Sequence, residues 1–181
     1  FLYRDSSDRL IATTRTPKLI MGQVALLTVV QIGKVGAFLD WGLEKDLFLP
    51  FKQQTRKVKA GDQVLSSLYI DKSGRLCATM NVYEHLRTDS PYQKDDKVTG
   101  RIYEISKNFG AFVAVDDCFS ALIPKKELFG ATEQPGVGEQ VTARVVKVLE
   151  DGKLTLSIRE KAYLQIQKDA EKIEKLLDSY E

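Results

Sequence analysis

Two cysteines and a single histidine are all that 181 residues offer to thiol or imidazole chemistry. Cys77 and Cys118 stand far apart, with no Cys-x-x-Cys spacing. That argues against a secreted disulfide scaffold and for reduced thiols in the cytoplasm. A four-ligand zinc site would have to recruit carboxylates, so neither a metal nor a cofactor is expected. His85 has no triad around it, no phosphate-binding loop is present, and no enzymatic activity is expected. Long apolar runs are missing too. Nothing approaches the ~20 residues that span a bilayer, and no membrane partner is expected. Charge of one sign is also scarce. The 27 basic and 25 acidic residues leave +2, too little to mark a polyanion binder by total charge. A local stripe of Lys and Arg still fits inside such a balance. The opening Phe1-Leu2-Tyr3-Arg4-Asp5 lacks the pattern of a signal peptide, and without an initiator Met it reads as part of a longer or processed chain.

What is present is internal repetition. Val29-Val30-Gln31-Ile32-Gly33-Lys34-Val35-Gly36-Ala37-Phe38-Leu39 matches the run from Ile102 to Val113 with one residue inserted near Asn108. Leu47-Phe48-Leu49-Pro50 pairs with Ala121-Leu122-Ile123-Pro124, and Gly61-Asp62-Gln63-Val64 with Gly138-Glu139-Gln140-Val141. Gly74 to Thr79 pairs with Gly152 to Ser157. Residues 1–14 resemble the closing strands of a further copy.

Each full copy reads as five short strands. Ala111, Val113 and Val115 alternate with Phe112 and Ala114, and Leu154, Leu156 and Ile158 with Thr155 and Ser157. Turn residues such as Asp71-Lys72-Ser73-Gly74 fill the gaps. Five such strands must hide their edges, which predicts a small closed barrel of the oligonucleotide-binding type. The expected fold is all-β: tandem five-stranded OB-fold barrels with a C-terminal α-helix. The expected divisions are a partial strand hairpin and linker over 1–21, a barrel over 22–82, a linker with a helical turn over 83–94, a barrel over 95–159 and a helix over 160–181. Tyr163, Ile166, Ala170, Ile173, Leu177 and Tyr180 form the apolar stripe of that helix. Two strands alone are marginal in water, so the opening hairpin should pack on the first full barrel.

Phe109-Gly110-Ala111-Phe112-Val113, the strand from Val141 to Val148 and the closing Leu154-Thr155-Leu156-Ser157-Ile158-Arg159 resemble the S1 RNA-binding domain. The layout of the whole chain resembles the conserved virulence factor B family of Gram-positive bacteria, which strings several S1 domains together. The resemblance implies binding of single-stranded RNA in the regulation of gene expression, here of virulence. Single-stranded DNA is a competing ligand, and transcription or translation machinery a possible protein partner. It also implies a site made of two aromatics, a third-strand His, and an acidic and a basic residue in the last loop. In the second barrel these positions carry Phe109, Phe112, Asp151 and Lys153. In the first they carry Val35, Phe38, Asp71 and Arg75. The His is replaced by Pro50 and Pro124.

Physically, single strands are held by stacking bases on aromatic rings while cations follow the phosphates. The residues expected to bind RNA are therefore Phe109, Phe112, Lys107, Arg101, Lys153 and Arg144 in the second barrel. In the first they are Phe38, Lys34, Lys72 and Arg75. Asp40 shares the face of Phe38, whereas Ala37, Leu39 and Trp41 make the apolar side, so Phe38 should point outward. The run Lys52, Arg56, Lys57 and Lys59 reads as a solvated loop, and Cys77 as a small core residue. The alternative function is a scaffold, in which degenerate barrels dock to transcription or translation machinery.

Overall fold

The computed structural model describes residues 1–4, 9–128 and 135–159. The helix predicted over 160–181 lies outside the described residues. The chain opens with an antiparallel hairpin of β1 (Leu2–Arg4) and β2 (Leu10–Ala12). Two five-stranded units follow. The first holds β3 (Val24–Ile32), β4 (Gly36–Asp40), β5 (Leu47–Pro50), β6 (Gln63–Ile70) and β7 (Leu76–Thr79). The second holds β8 (Lys97–Ser106), β9 (Gly110–Val115), β10 (Phe119–Pro124), β11 (Gln140–Val148) and β12 (Leu154–Ser157), with a short helix α1 (Lys125–Leu128) after β10.

The second unit is a closed barrel in the order β10-β12-β11-β8-β9. The parallel pairing of β10 with β12, Ala121 beside Leu154, removes both free edges. The first unit has the order β5-β4-β3-β6-β7, and its end strands are joined by isolated hydrogen bonds instead of a strand ladder. Gln53, just past β5, accepts a bond from the Met80 N–H at 2.9 Å and one from Thr79 Oγ1 at 2.7 Å, which ties β5 to β7. Alternation decides what fills each interior. Ala37, Leu39, Leu47 and Leu49 are buried in the first core, and Ala111, Val113, Val115, Leu154 and Leu156 in the second. The residues between them face out.

The shared Gly-Ala-Phe has a backbone cause. A Cβ on Gly110 would lie 2.1 Å from the Ile123 carbonyl oxygen and 2.6 Å from the Lys125 nitrogen, and its φ is +123°. Gly36 meets Leu49 O at 2.4 Å in the same way. Both glycines let the second and third strands of a barrel cross closely.

Each first strand also carries a bulge. In β8 the pairing with β9 jumps from Ile102 to Glu104 and leaves Tyr103 unpaired; in β3 the jump from Val29 to Gln31 leaves Val30 unpaired. An unpaired residue bends the strand and re-aims its side chain.

The linker is not a free tether. Val82 and Leu86 are buried with Leu65 of β6 and with Tyr103 and Ala114 of the second barrel. Burying each such aliphatic chain stabilises the contact by roughly 1.5–3 kcal/mol. Tyr83–His85 forms one 3-10 turn, and Arg87 bridges to β10 through Cys118 O (2.9 Å) and the Ser120 N–H (2.8 Å). The opening hairpin leans on the first barrel, with the Tyr3 ring edge-on to the buried Trp41 at 6.2 Å.

Gly110→Ala should destabilise the second barrel by about 2 kcal/mol or more, because strain at positive φ adds to backbone overlap. The check is a urea titration in which the midpoint falls and the slope holds. An unchanged midpoint would remove this account of the motif.

Candidate nucleic-acid interface

On β9 the inward Ala111 and Val113 leave Phe112 on the outer wall, half-buried. Its ring is met from three sides. Tyr103, the bulged residue, lies 6.2 Å away between centroids, Phe109 lies 6.4 Å away, and Tyr83 of the linker stands at 85° to it at 5.8 Å. Phe109 sits in the β8–β9 hairpin and is 64% exposed. Tyr103 is buried and its hydroxyl has no hydrogen-bond partner among the described residues; burial pushes that phenol well above its usual value. Phe109 is therefore the most open residue of the cluster, with Tyr83 also exposed, and Phe112 is their supported neighbour.

The cations sort less evenly. Lys153, in the β11–β12 loop, has Nζ 5.4 Å from the Tyr83 centroid and 3.0 Å from Asp151. The Asp151 carboxylate first, then the Tyr83 hydroxyl, hold the ammonium above its ordinary value. Lys107 is exposed in the hairpin beside Phe109.

Arg101 and Arg144 depart from expectation. Arg101 donates to Asp117 at 3.3 Å and to Gly138 O at 3.0 Å, and its side chain is only 17% exposed. Together with Arg56 it lines a small cavity between the barrels. Arg144 donates to Asp95 at 3.0 Å and pairs in register with Lys97, at the start of β8. The hairpin lies beyond Ser106, roughly 30 Å further along the strand at about 3.3 Å per residue. Neither arginine is presented beside Phe109: each is held by a carboxylate. The wall also carries acids, since exposed Glu104 is the register partner of Phe112 and exposed Glu84 follows Tyr83.

The first barrel is built differently. Phe38 points outward as expected, but it is half-buried, 5.4 Å from its register partner Phe48. Val35 is 68% exposed where the second barrel has Phe109. A cleft of about 300 Å³ opens there, lined by Tyr3, Val35, Phe38, Trp41, Phe48 and Arg75 among others. Arg75 donates to Asp71 at 3.2 Å, while Lys34 and Lys72 are exposed. In the basic loop Arg56 is bound to Asp62 at 3.0 Å, and Lys52, Lys57 and Lys59 are exposed.

Comparison with known proteins agrees with this architecture. Residues 21–81 match the S1 domain family, and residues 83–160 match the second domain of the virulence regulatory factor CvfB. The first barrel thus matches the S1 domain model, and the second barrel with its linker matches the CvfB second-domain model. It is 31% identical to the uncharacterised protein YitL of Bacillus subtilis, over 94% of this chain and 59% of that one. It is 26% identical to conserved virulence factor B of Staphylococcus haemolyticus, over 100% of this chain and 62% of that one. The chain thus spans about three-fifths of the length of these curated relatives. A Streptococcus pneumoniae multidomain protein, described as having nucleic acid binding domains, shares the fold at a TM-score of 0.58 and 24% identity, over 90% of this chain and 60% of that one.

The match to the CvfB second domain begins at Tyr83, so the linker turn belongs with the second barrel's family pattern. The strand pattern does not place Tyr83 or Tyr103 in the ring cluster. Tyr103 arrives through a bulge and Tyr83 through linker docking. Phe48 was within reach, since Leu47 and Leu49 alternate inward around it.

In the first barrel, Asp71 shapes the last loop by accepting from the N–H groups of Arg75 (3.0 Å) and Ser73 (2.8 Å). Those bonds, Arg75's first, hold its carboxyl below the ordinary range. A lowered folded value means stabilisation that is complete above the unfolded pKa and lost as pH falls through the folded one. Asp71→Asn should therefore lower the urea midpoint at neutral pH, with the deficit shrinking under acid. A deficit independent of pH would contradict this role.

Proposed function

We propose that the chain binds single-stranded RNA, chiefly through the outer wall of the second barrel, and catalyses no reaction of its own. One observation carries the reading: Phe109 is open to solvent and backed by Phe112, with Lys107 and Lys153 at hand. A ring with an open face can stack on any base, and each stack contributes about 1–3 kcal/mol. Exposed ion pairs contribute about 0–1 kcal/mol. Rings therefore dominate affinity, and paired cations such as Lys153 add little beyond orientation. The S1 resemblance, which implies two aromatics at these positions, supports the reading. The first barrel, with Val35 for an aromatic, contributes a weaker second contact that raises avidity when one strand reaches both. The names of the matched domain family and of the staphylococcal relatives support a role in virulence regulation; control of gene expression in the cytoplasm is the form of it that RNA binding would take.

Fluorescence anisotropy with a labelled oligouridylate tests the reading. Phe109→Ala should weaken binding about 5- to 150-fold, the equivalent of losing one stacked base. The logarithm of affinity should fall only gently with the logarithm of salt, with a slope of about −1.4 to −2.1, because two or three cations at about −0.7 each are available. Equal binding by Phe109→Ala would remove the stacking model. It would leave the scaffold that docks to transcription or translation machinery.

A further inference from the structure

Tyr83 belongs to no strand of either barrel, yet its ring reaches the wall just described. Val82 before it is fully buried between the barrels, and the His85 N–H bonds back to Val82 O at 2.9 Å. Further along, a Cβ on Gly152 would lie 1.8 Å from the Thr88 carbonyl oxygen, and its φ is +82°. The linker therefore lies directly against the loop that carries Lys153, and only glycine fits there. Packing on both sides of Tyr83 holds its ring in place.

Tyr83 as a residue is 44% exposed. It touches Phe112 at 5.8 Å and Lys153 Nζ at 5.4 Å, so contacts run in series from Phe109 through Phe112 to Tyr83 and Lys153. The two ring-to-ring steps of 6.4 and 5.8 Å confine three aromatics to within about 12 Å. Because Tyr83 stands perpendicular to Phe112, the surface is a corner, not a flat table. A flat apolar ligand that stacks on one wall of a corner is contacted on its flank by the other, and the Lys153 ammonium, held by Asp151, borders the Tyr83 ring.

We infer that Tyr83 is a third base-contacting ring, so that the RNA site of the second barrel is completed by the linker from the first. This rests on the proposed RNA binding. The ligand it implies is a run of consecutive unpaired nucleotides crossing from Phe109 to the linker.

The test compares the full chain with Tyr83→Ala, Tyr83→Leu and Tyr83→Phe on the same oligouridylate, with Phe109→Ala as the reference. Leu keeps apolar packing on Phe112 without a π face, and Phe keeps the π face without the hydroxyl. Ala and Leu should each weaken binding about fivefold or more, and Phe should stay within about twofold of the parent. Thermal unfolding of the Leu variant should match the parent. If Leu binds as the parent does, or if Ala binds equally or more tightly while Phe109→Ala is weak, the inference falls and the RNA reading stands. If the parent itself fails to bind, both fall.

Discussion

The packing of Val82 and Leu86 between the barrels decides which rings stay on the surface. These side chains fill the space between Leu65 on one side and Tyr103 and Ala114 on the other. Without them the whole outer wall of β8 and β9 would face water. With them, the part around Ala114 is sealed and the part around Phe109 is left open. The same contact fixes the linker, brings Tyr83 to the wall and sets the position of Lys153 through the Gly152 approach. Site and inter-barrel joint are one structure, and a change in the joint is felt at the rings.

The two barrels share a backbone device and diverge at the wall. Both use a glycine where strands cross, and both bulge the first strand. In the second barrel the bulged residue is Tyr103, which joins the rings; in the first it is Val30, which is exposed and apolar. The first barrel pairs Phe38 with Phe48 across strands and has a cleft, whereas the second has an angled row of rings ending in the exposed Phe109. A cleft suits one inserted group, whereas a row of rings suits a strand passing along it. The net charge of +2 agrees with a surface that relies on rings more than on phosphate contacts.

Strand pattern and repetition were readable from the residues. Period-two alternation placed Ala37, Leu39, Ala111 and Val113 inward, and the paired Gly-Ala-Phe blocks aligned the two copies. Individual cations were not readable. Arg101 and Arg144 look like any basic strand residue until their partners are known, and Asp117, Gly138 and Asp95 are supplied by turns distant in sequence. Tyr103 needed the bulge and Tyr83 needed the docked linker, both products of tertiary packing that periodicity does not encode.

The most direct test of ring-based recognition is photo-crosslinking of the full chain to an oligonucleotide carrying 4-thiouridine, with the attached peptides mapped by mass spectrometry. The account predicts adducts on the peptide holding Lys107, Phe109 and Phe112. Adducts confined to the basic loop from Lys52 to Lys59, with none on the β8–β9 hairpin, would contradict it.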